Sequence, residues 1–142
     1  MKKLLVLLGS FLLVVAVYAD PNEKVLRSFH ETFASAENVK WEEFSGHYRV
    51  SFLSSGMRSK VDYDKEGNIL GSIRYYDPSL LPLNILTTLR KEQSKTKLFG
   101  VTEVTVGEEV VYFVKMETEK HWITLRVDSN GNSEVFEKYR KA

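Results

Sequence analysis

Apolar residues recur along this chain with two different periods. From Asn22 to Ala36, Val25, Leu26, Phe29 and Phe33 follow one another at steps of one, three and four, with Glu23, Lys24, Arg27 and Glu31 on the other side. That spacing lines one face of a helix. Asp20 or Asn22 can cap its start, and Pro21 suits the first turn. The period then falls to two. Val39 and Trp41 open a strand, Ser45-Gly46 turns the chain, and Tyr48, Val50 and Phe52 alternate with His47, Arg49 and Ser51. Side chains in a strand point alternately to opposite faces, so this pattern buries one face and leaves the other polar. Ser54-Ser55-Gly56 makes the next turn, Val61 and Tyr63 keep the alternation, and Asp64–Asn68 forms a tight hairpin loop into Ile69–Tyr76.

After Asp77-Pro78 the order repeats. Leu83, Ile85, Leu86 and Leu89 mark a second amphipathic helix over about residues 80–95, with Pro82 in its first turn. Strand patterns follow at about 98–106, 109–117, 120–128 and 133–139. Laying residues 47–68 over 111–132 at an offset of 64 matches Tyr48 to Tyr112, Val50 to Val114, Asp64 to Asp128, Gly67 to Gly131 and Asn68 to Asn132. The agreement of phase, turn and element order marks an internal repeat. The expected fold is α+β, with two tandem units at about 22–76 and 78–140. Each is one helix packed on a roughly four-stranded antiparallel sheet. One helix covers only one face, so two sheets lying side by side would each keep the opposite face open.

The segment ahead of the first helix differs from everything after it. Met1-Lys2-Lys3 is followed by an uncharged apolar run from Leu4 to Val17, then Val17-Tyr18-Ala19 before Asp20-Pro21. A basic start, a short apolar run and a small residue at the exit predict a signal peptide cleaved after Ala19. The run is well below the roughly 20 residues that span a bilayer. Removing residues 1–19 from 142 leaves 123, a single-domain length, and takes Lys2 and Lys3 with it, so the formal charge moves from +1 to −1. Such a balance provides no electrostatic footprint for nucleic acid or an anionic membrane. There are no cysteines, which excludes disulfides, lipid attachment at a cysteine and thiol chemistry. An exported chain of this kind is expected in the periplasm or outside the cell.

Taken in order, a helix with Val25, Phe29 and Phe33, then Ala36-x-x-Val39-x-Trp41, Tyr48-x-Val50-x-Phe52, Val61-x-Tyr63-Asp64-x-x-Gly67 and Leu81-Pro82 resembles the exported PepSY-like proteins. That family is similar in fold to the β-lactamase-inhibitor protein. The resemblance covers about residues 22–140. It implies tandem α/β units, a periplasmic location and no shared catalytic residues, and PepSY domains in general point to binding or restraining peptidases.

The residues that could carry chemistry are few. Asp62-x-Asp64-x-Glu66-Gly67 follows the start of an EF-hand loop, but the twelfth position, where a bidentate Glu belongs, is Ile73. The counterpart Asp128–Asn132 reads as hairpin chemistry, so a hairpin is expected in both places. His30, His47 and His121 are far apart and in no zinc-binding spacing. Glu42-Glu43 and Glu108-Glu109 are neighbours that a strand would point to opposite faces. No nucleophile elbow or phosphate-cradling glycine loop is present. No catalytic, cofactor or metal residue is assigned. Trp41 is expected in the core against Phe29 and Phe33. Tyr75-Tyr76 is expected as strand.

One feature separates the halves. On the face away from the first helix stand His47, Arg49 and Ser51, with Arg58, Lys60 and Asp62 on the next strand. The same places in the second half hold Val111, Phe113 and Lys115, with Trp122, Thr124 and Arg126. Apolar side chains on such a face mark an interaction site or a surface packed by another element. The expected function is therefore binding of a protein or peptide through an open sheet face. Val111, Phe113 and Trp122 would form one contiguous patch, with Arg49, Arg58, Lys60 and Arg126 at its rim. The alternatives are a homodimer seam, a periplasmic small-molecule carrier with an apolar pocket between helix and sheet, and a hydrolase of unrecognised type.

Overall fold

The computed structural model describes residues 20–142; the expected signal peptide lies outside the described residues. Helix α1 runs Glu23–Thr32. The Asn22 carboxamide accepts a hydrogen bond from the Val25 N–H at 3.1 Å and donates to the Lys65 carbonyl at 2.9 Å. One side chain thus caps the helix and ties it to the loop across from it. The helix stops short of Ala36 because Phe33 leaves helical geometry, at φ −124° and ψ 58°.

The chain then forms β1 (Glu37–Phe44), β2 (His47–Ser54), β3 (Met57–Tyr63) and β4 (Ile69–Tyr76). A 3₁₀ turn at Pro78–Leu80 leads into α2 (Leu83–Glu92). Asp77 caps that turn by accepting from the Ser79 N–H at 2.9 Å. β5 (Lys97–Val106), β6 (Glu109–Glu117), β7 (His121–Asp128) and β8 (Ser133–Arg140) complete the chain.

The expected pair of four-stranded sheets is incorrect. All eight strands form one antiparallel sheet in sequence order, β1 through β8. β4 and β5 are hydrogen-bonded from Gly71 opposite Val106 to Tyr76 opposite Val101. Left apart, both strands would expose unpaired backbone groups on apolar edges; pairing them satisfies those groups. The seam is also held by side chains. Glu103, only 6% exposed, stands directly opposite Arg74. It accepts hydrogen bonds from Arg74 Nε at 2.9 Å and from the Tyr76 hydroxyl at 2.6 Å.

Both helices lie on the same face of this sheet. Val25 and Phe29 of α1 pack on Tyr48, Val50, Phe52, Val61 and Tyr63. Ile85 and Leu89 of α2 pack on Val101, Tyr112, Val114, Met116, Leu125 and Val127. Each such side chain contributes roughly 1.5–3 kcal/mol on full burial. Trp41, expected in the core, is half-buried at its edge and meets Phe29 edge-on with ring centroids 5.2 Å apart.

The Asp64–Asn68 segment is a hairpin. The Asp64 carboxylate accepts from the Glu66 and Asn68 N–H groups and from the Asn68 carboxamide at 2.8–2.9 Å. Asp128 makes the same three bonds to Asn130 and Asn132. In both loops the Asn side-chain bond is the chief cause that holds the aspartate below its ordinary pKa. Gly67 adopts φ +88°, and a Cβ there would come 2.9 Å from the Lys24 carbonyl oxygen of α1. Gly131, at φ +90°, meets nothing closer than the Thr88 Oγ1 at 3.9 Å. Gly67→Ala should therefore cost about 2–3 kcal/mol, and Gly131→Ala nearer 1 kcal/mol. Equal losses in chemical denaturation would show that the Gly67 contact with α1 carries no weight.

Candidate functional site: the sheet face opposite the helices

With both helices on one side, the other face of the sheet carries no described element. Its makeup follows from register. Across the second half, Tyr75, Thr102, Phe113 and Arg126 stand in one cross-strand row, and Ile73, Val104, Val111 and Asp128 in the next. Val111 and Phe113 are therefore neighbours on β6, half-buried among Val104, Ile73 and Thr102. Trp122 is 44% exposed but stands opposite Glu117 and Tyr139. The Lys115–Thr124 row separates it from Phe113. Val111, Phe113 and Trp122 thus share a face but not one contiguous patch, because register places Phe113 and Trp122 two pairs apart.

Two aromatic clusters take the place of that patch. The Phe113 ring lies 5.0 Å from that of Phe136, steeply tilted at 67°. The Trp122 ring lies 5.6 Å from that of Phe99 at 82°, with the Lys141 ammonium 4.4 Å from the indole centroid. Lys141 also bonds Glu117 at 3.0 Å, the main cause that lowers the Glu117 pKa. Such edge-to-face pairs contribute about 0.5–1.5 kcal/mol beyond the area they cover. Phe99 and Phe136 both sit at β-bulges, between Leu98 and Gly100 and across from Thr124/Leu125. A bulge inserts one residue and re-aims its side chain, so a strict period of two misplaces both. Gly100 within a strand is the sequence signal that marks the first bulge.

The expected rim residues divide into two kinds. Arg49 donates two hydrogen bonds to Asp62, at 2.6 and 2.8 Å, and lies over the Phe44 ring at 5.2 Å. The Asp62 bonds are the leading cause that raises the Arg49 pKa. Arg126 reaches Glu134 at 3.3 Å. Arg58 instead lies over the Tyr75 ring, 5.5 Å from its centroid, and Lys60 faces a pocket shared with Lys40. Lys40, Phe99, Phe136 and Tyr139 belong to this face and escaped the sequence reading.

Elsewhere the surface offers less. A pocket of about 480 Å³ lies between Asp77, Arg90, Gln93 and Lys97 beside the end of α2. Its lining is polar and it does not open beneath the helix, where Ile85 and Leu89 fill the space against the sheet. Among the described residues no group of three or more His, Asp or Glu side chains is placed to hold a metal ion, and no helix is long and apolar enough to cross a membrane.

No family model and no curated protein matches the chain. Solved structures do match its architecture. A BLIP-like protein from Bacteroides fragilis superposes with a TM-score of 0.62 at 18% identity, covering 87% of this chain and 88% of that one. The fold is BLIP-like. A DUF2874 family protein from Bacteroides ovatus shares this BLIP-like arrangement with a TM-score of 0.60 at 15% identity, covering 86% and 89% of the two chains. A protein from Bacteroides eggerthii, provisionally described as periplasmic, matches at 0.59 and 13% identity, covering 86% and 90%. At these identities the likeness is one of fold, and the PepSY-like part of the resemblance rests on the sequence pattern alone.

Proposed function

We propose that this chain is an exported, non-enzymatic protein of PepSY-like type that binds a protein or peptide through the open face of its sheet. The observation that supports this most is the placement of Phe99, Phe113, Trp122 and Phe136 on the face opposite both helices, where no described element covers them. Aromatic side chains provide large contact area at low conformational cost and dominate interface energetics. The export pattern of the first 19 residues and a fold shared with a protein described as periplasmic agree with a partner outside the cytoplasm.

Trp122→Ala is the direct test. It should weaken partner binding by about 2 kcal/mol or more. Because the side chain is 44% exposed but also stacks on Phe99 and carries the Lys141 ammonium over its ring, unfolding free energy should fall by only about 1–2 kcal/mol. A loss of about 3–5 kcal/mol in a thermal or chemical melt would mean that the indole is core. That result would remove this face as the binding surface.

A further inference from the structure

The first half of the open face carries a different chemistry from the aromatic second half. Lys40 of β1, Ser51 of β2 and Lys60 of β3 stand directly opposite one another in one cross-strand row. The adjoining row holds Glu37, Leu53, Arg58 and Tyr75. Between the two rows lies a pocket of about 260 Å³, closed at its rim by Asn38, whose backbone is left-handed at φ 54°. The Arg58–Tyr75 stack forms one wall. Beyond that wall a second hollow of about 420 Å³ is bounded by Phe99, Thr102 and Lys115. The two hollows make one trough across the middle of the sheet.

The cations of this trough outnumber the carboxylates free to meet them. Among the described residues, Arg49 and Arg126 are engaged by carboxylates, whereas Lys40, Arg58, Lys60 and Lys115 make no salt bridge. Glu37 stands opposite Leu53 at the β1 end of the Arg58 row and makes no salt bridge among the described residues, and the other neighbouring acids are committed elsewhere or lie to one side. Asp62 is held by Arg49, Glu42 stands opposite Arg49, and Asp77, at the far end, caps Ser79. Like charges at adjacent positions of one sheet face repel, and burial of the pocket by a neutral surface would strand them without water.

We infer that the trough receives an acidic segment of the polypeptide partner. A carboxylate enters between Lys40 and Lys60, with the Ser51 hydroxyl as a further donor, and an apolar or aromatic side chain lies against Tyr75 and Phe99 beyond Arg58. This inference rests on the open-face reading and adds the chemistry of the partner. A nucleic-acid backbone fits less well. The cations are confined to one trough bordered by the Glu42 and Asp62 carboxylates, without the extended basic stripe that tracks successive phosphates.

The test is an NMR titration of the ¹⁵N-labelled protein with three probes: a glutamate–tyrosine copolymer, a lysine–tyrosine copolymer and an oligothymidylate. The glutamate–tyrosine copolymer should shift the Lys40, Ser51, Arg58 and Lys60 amides, and its binding should weaken several-fold between low salt and about 0.5 M salt. The double variant Lys40→Glu/Lys60→Glu should weaken that binding about tenfold or more. The charge-matched pair Lys91→Glu/Lys138→Glu, on the helix side, should leave it unchanged. Absence of shifts at these amides, equal weakening by both pairs, or tighter binding of either other probe would overturn the inference. A lysine–tyrosine copolymer that shifted the Phe113 and Trp122 amides would overturn the acidic partner alone. Failure of the open-face reading shows separately, as a Trp122→Ala protein that keeps full affinity for its partner.

Discussion

Replacing Glu103 with alanine is expected to lower the unfolding free energy by about 3 kcal/mol. The carboxylate is nearly inaccessible and is the common acceptor for Arg74 and Tyr76 across the β4–β5 seam. Removing it leaves the buried Tyr76 hydroxyl without its acceptor and the partly exposed Arg74 guanidinium without its counter-charge, and a buried polar group left unsatisfied costs more than the intact hydrogen bond contributed. Glu103→Gln keeps an acceptor for the Tyr76 hydroxyl but loses the charge opposite Arg74, so it should cost about 1–2 kcal/mol. The wild-type network also sets a pH dependence. Burial, then the hydrogen bond to Glu103, pushes the Tyr76 phenol above its ordinary value. Burial likewise raises Tyr63, to about 12. Below the unfolded tyrosine value, about pH 10, both states hold these protons and stability is full. Above it the unfolded chain releases them while the folded chain retains them, so stability should fall as pH rises from about 9 to 11. Urea midpoints that stay level over that range would contradict it.

Phe29→Ala should have the largest effect of any single truncation in the first half, about 4 kcal/mol. The ring is buried and meets Trp41 and Phe52 edge-on, each at 5.2 Å, and Phe33 at 5.7 Å. Its loss removes the side chain that joins α1 to β1 and β2 and leaves a cavity that three aromatic rings are too rigid to fill. Phe29→Leu keeps most of the volume and should cost about 1–2 kcal/mol. Chemical denaturation of the two variants tests this. A loss below about 1.5 kcal/mol for Phe29→Ala would show that α1 is anchored by other contacts.

What sequence reasoning reached, and what it missed, follows from the range of each interaction. Helix α1 is legible because Val25, Phe29 and Phe33 recur at helical spacing, and both hairpins because Asp64–Asn68 and Asp128–Asn132 encode the turn locally. The β4–β5 pairing is not local. Nothing in Ile69–Tyr76 or Lys97–Val106 states which strand each will lie beside, and α2 separates them, so two sheets were expected where one exists. The Arg74–Glu103 pair would have been the clue, but 29 positions separate the two residues. The open face was legible in part. Alternation placed Val111, Phe113 and Trp122 on it correctly. Register then separated Trp122 from Phe113, and the bulges delivered Phe99 and Phe136 as their actual stacking partners. Lys40 escaped notice because its significance lies in standing across Ser51 from Lys60, a relation that exists only once three strands are paired.

The face opposite the helices is the proposed binding surface for a polypeptide partner. Site-specific photocrosslinking tests it most directly. A photoreactive phenylalanine analogue is placed at Phe113, Trp122 or Tyr75 on the open face, and at Lys91 or Lys138 on the helix side, and each protein is irradiated in the cell envelope. The open-face positions should yield one covalent adduct with a second, different polypeptide, identified by mass spectrometry, and the helix-side positions should yield none. Adducts confined to the helix side, adducts only with a second copy of this chain, or no adduct from any position would rule out the open face as the surface that binds a different polypeptide.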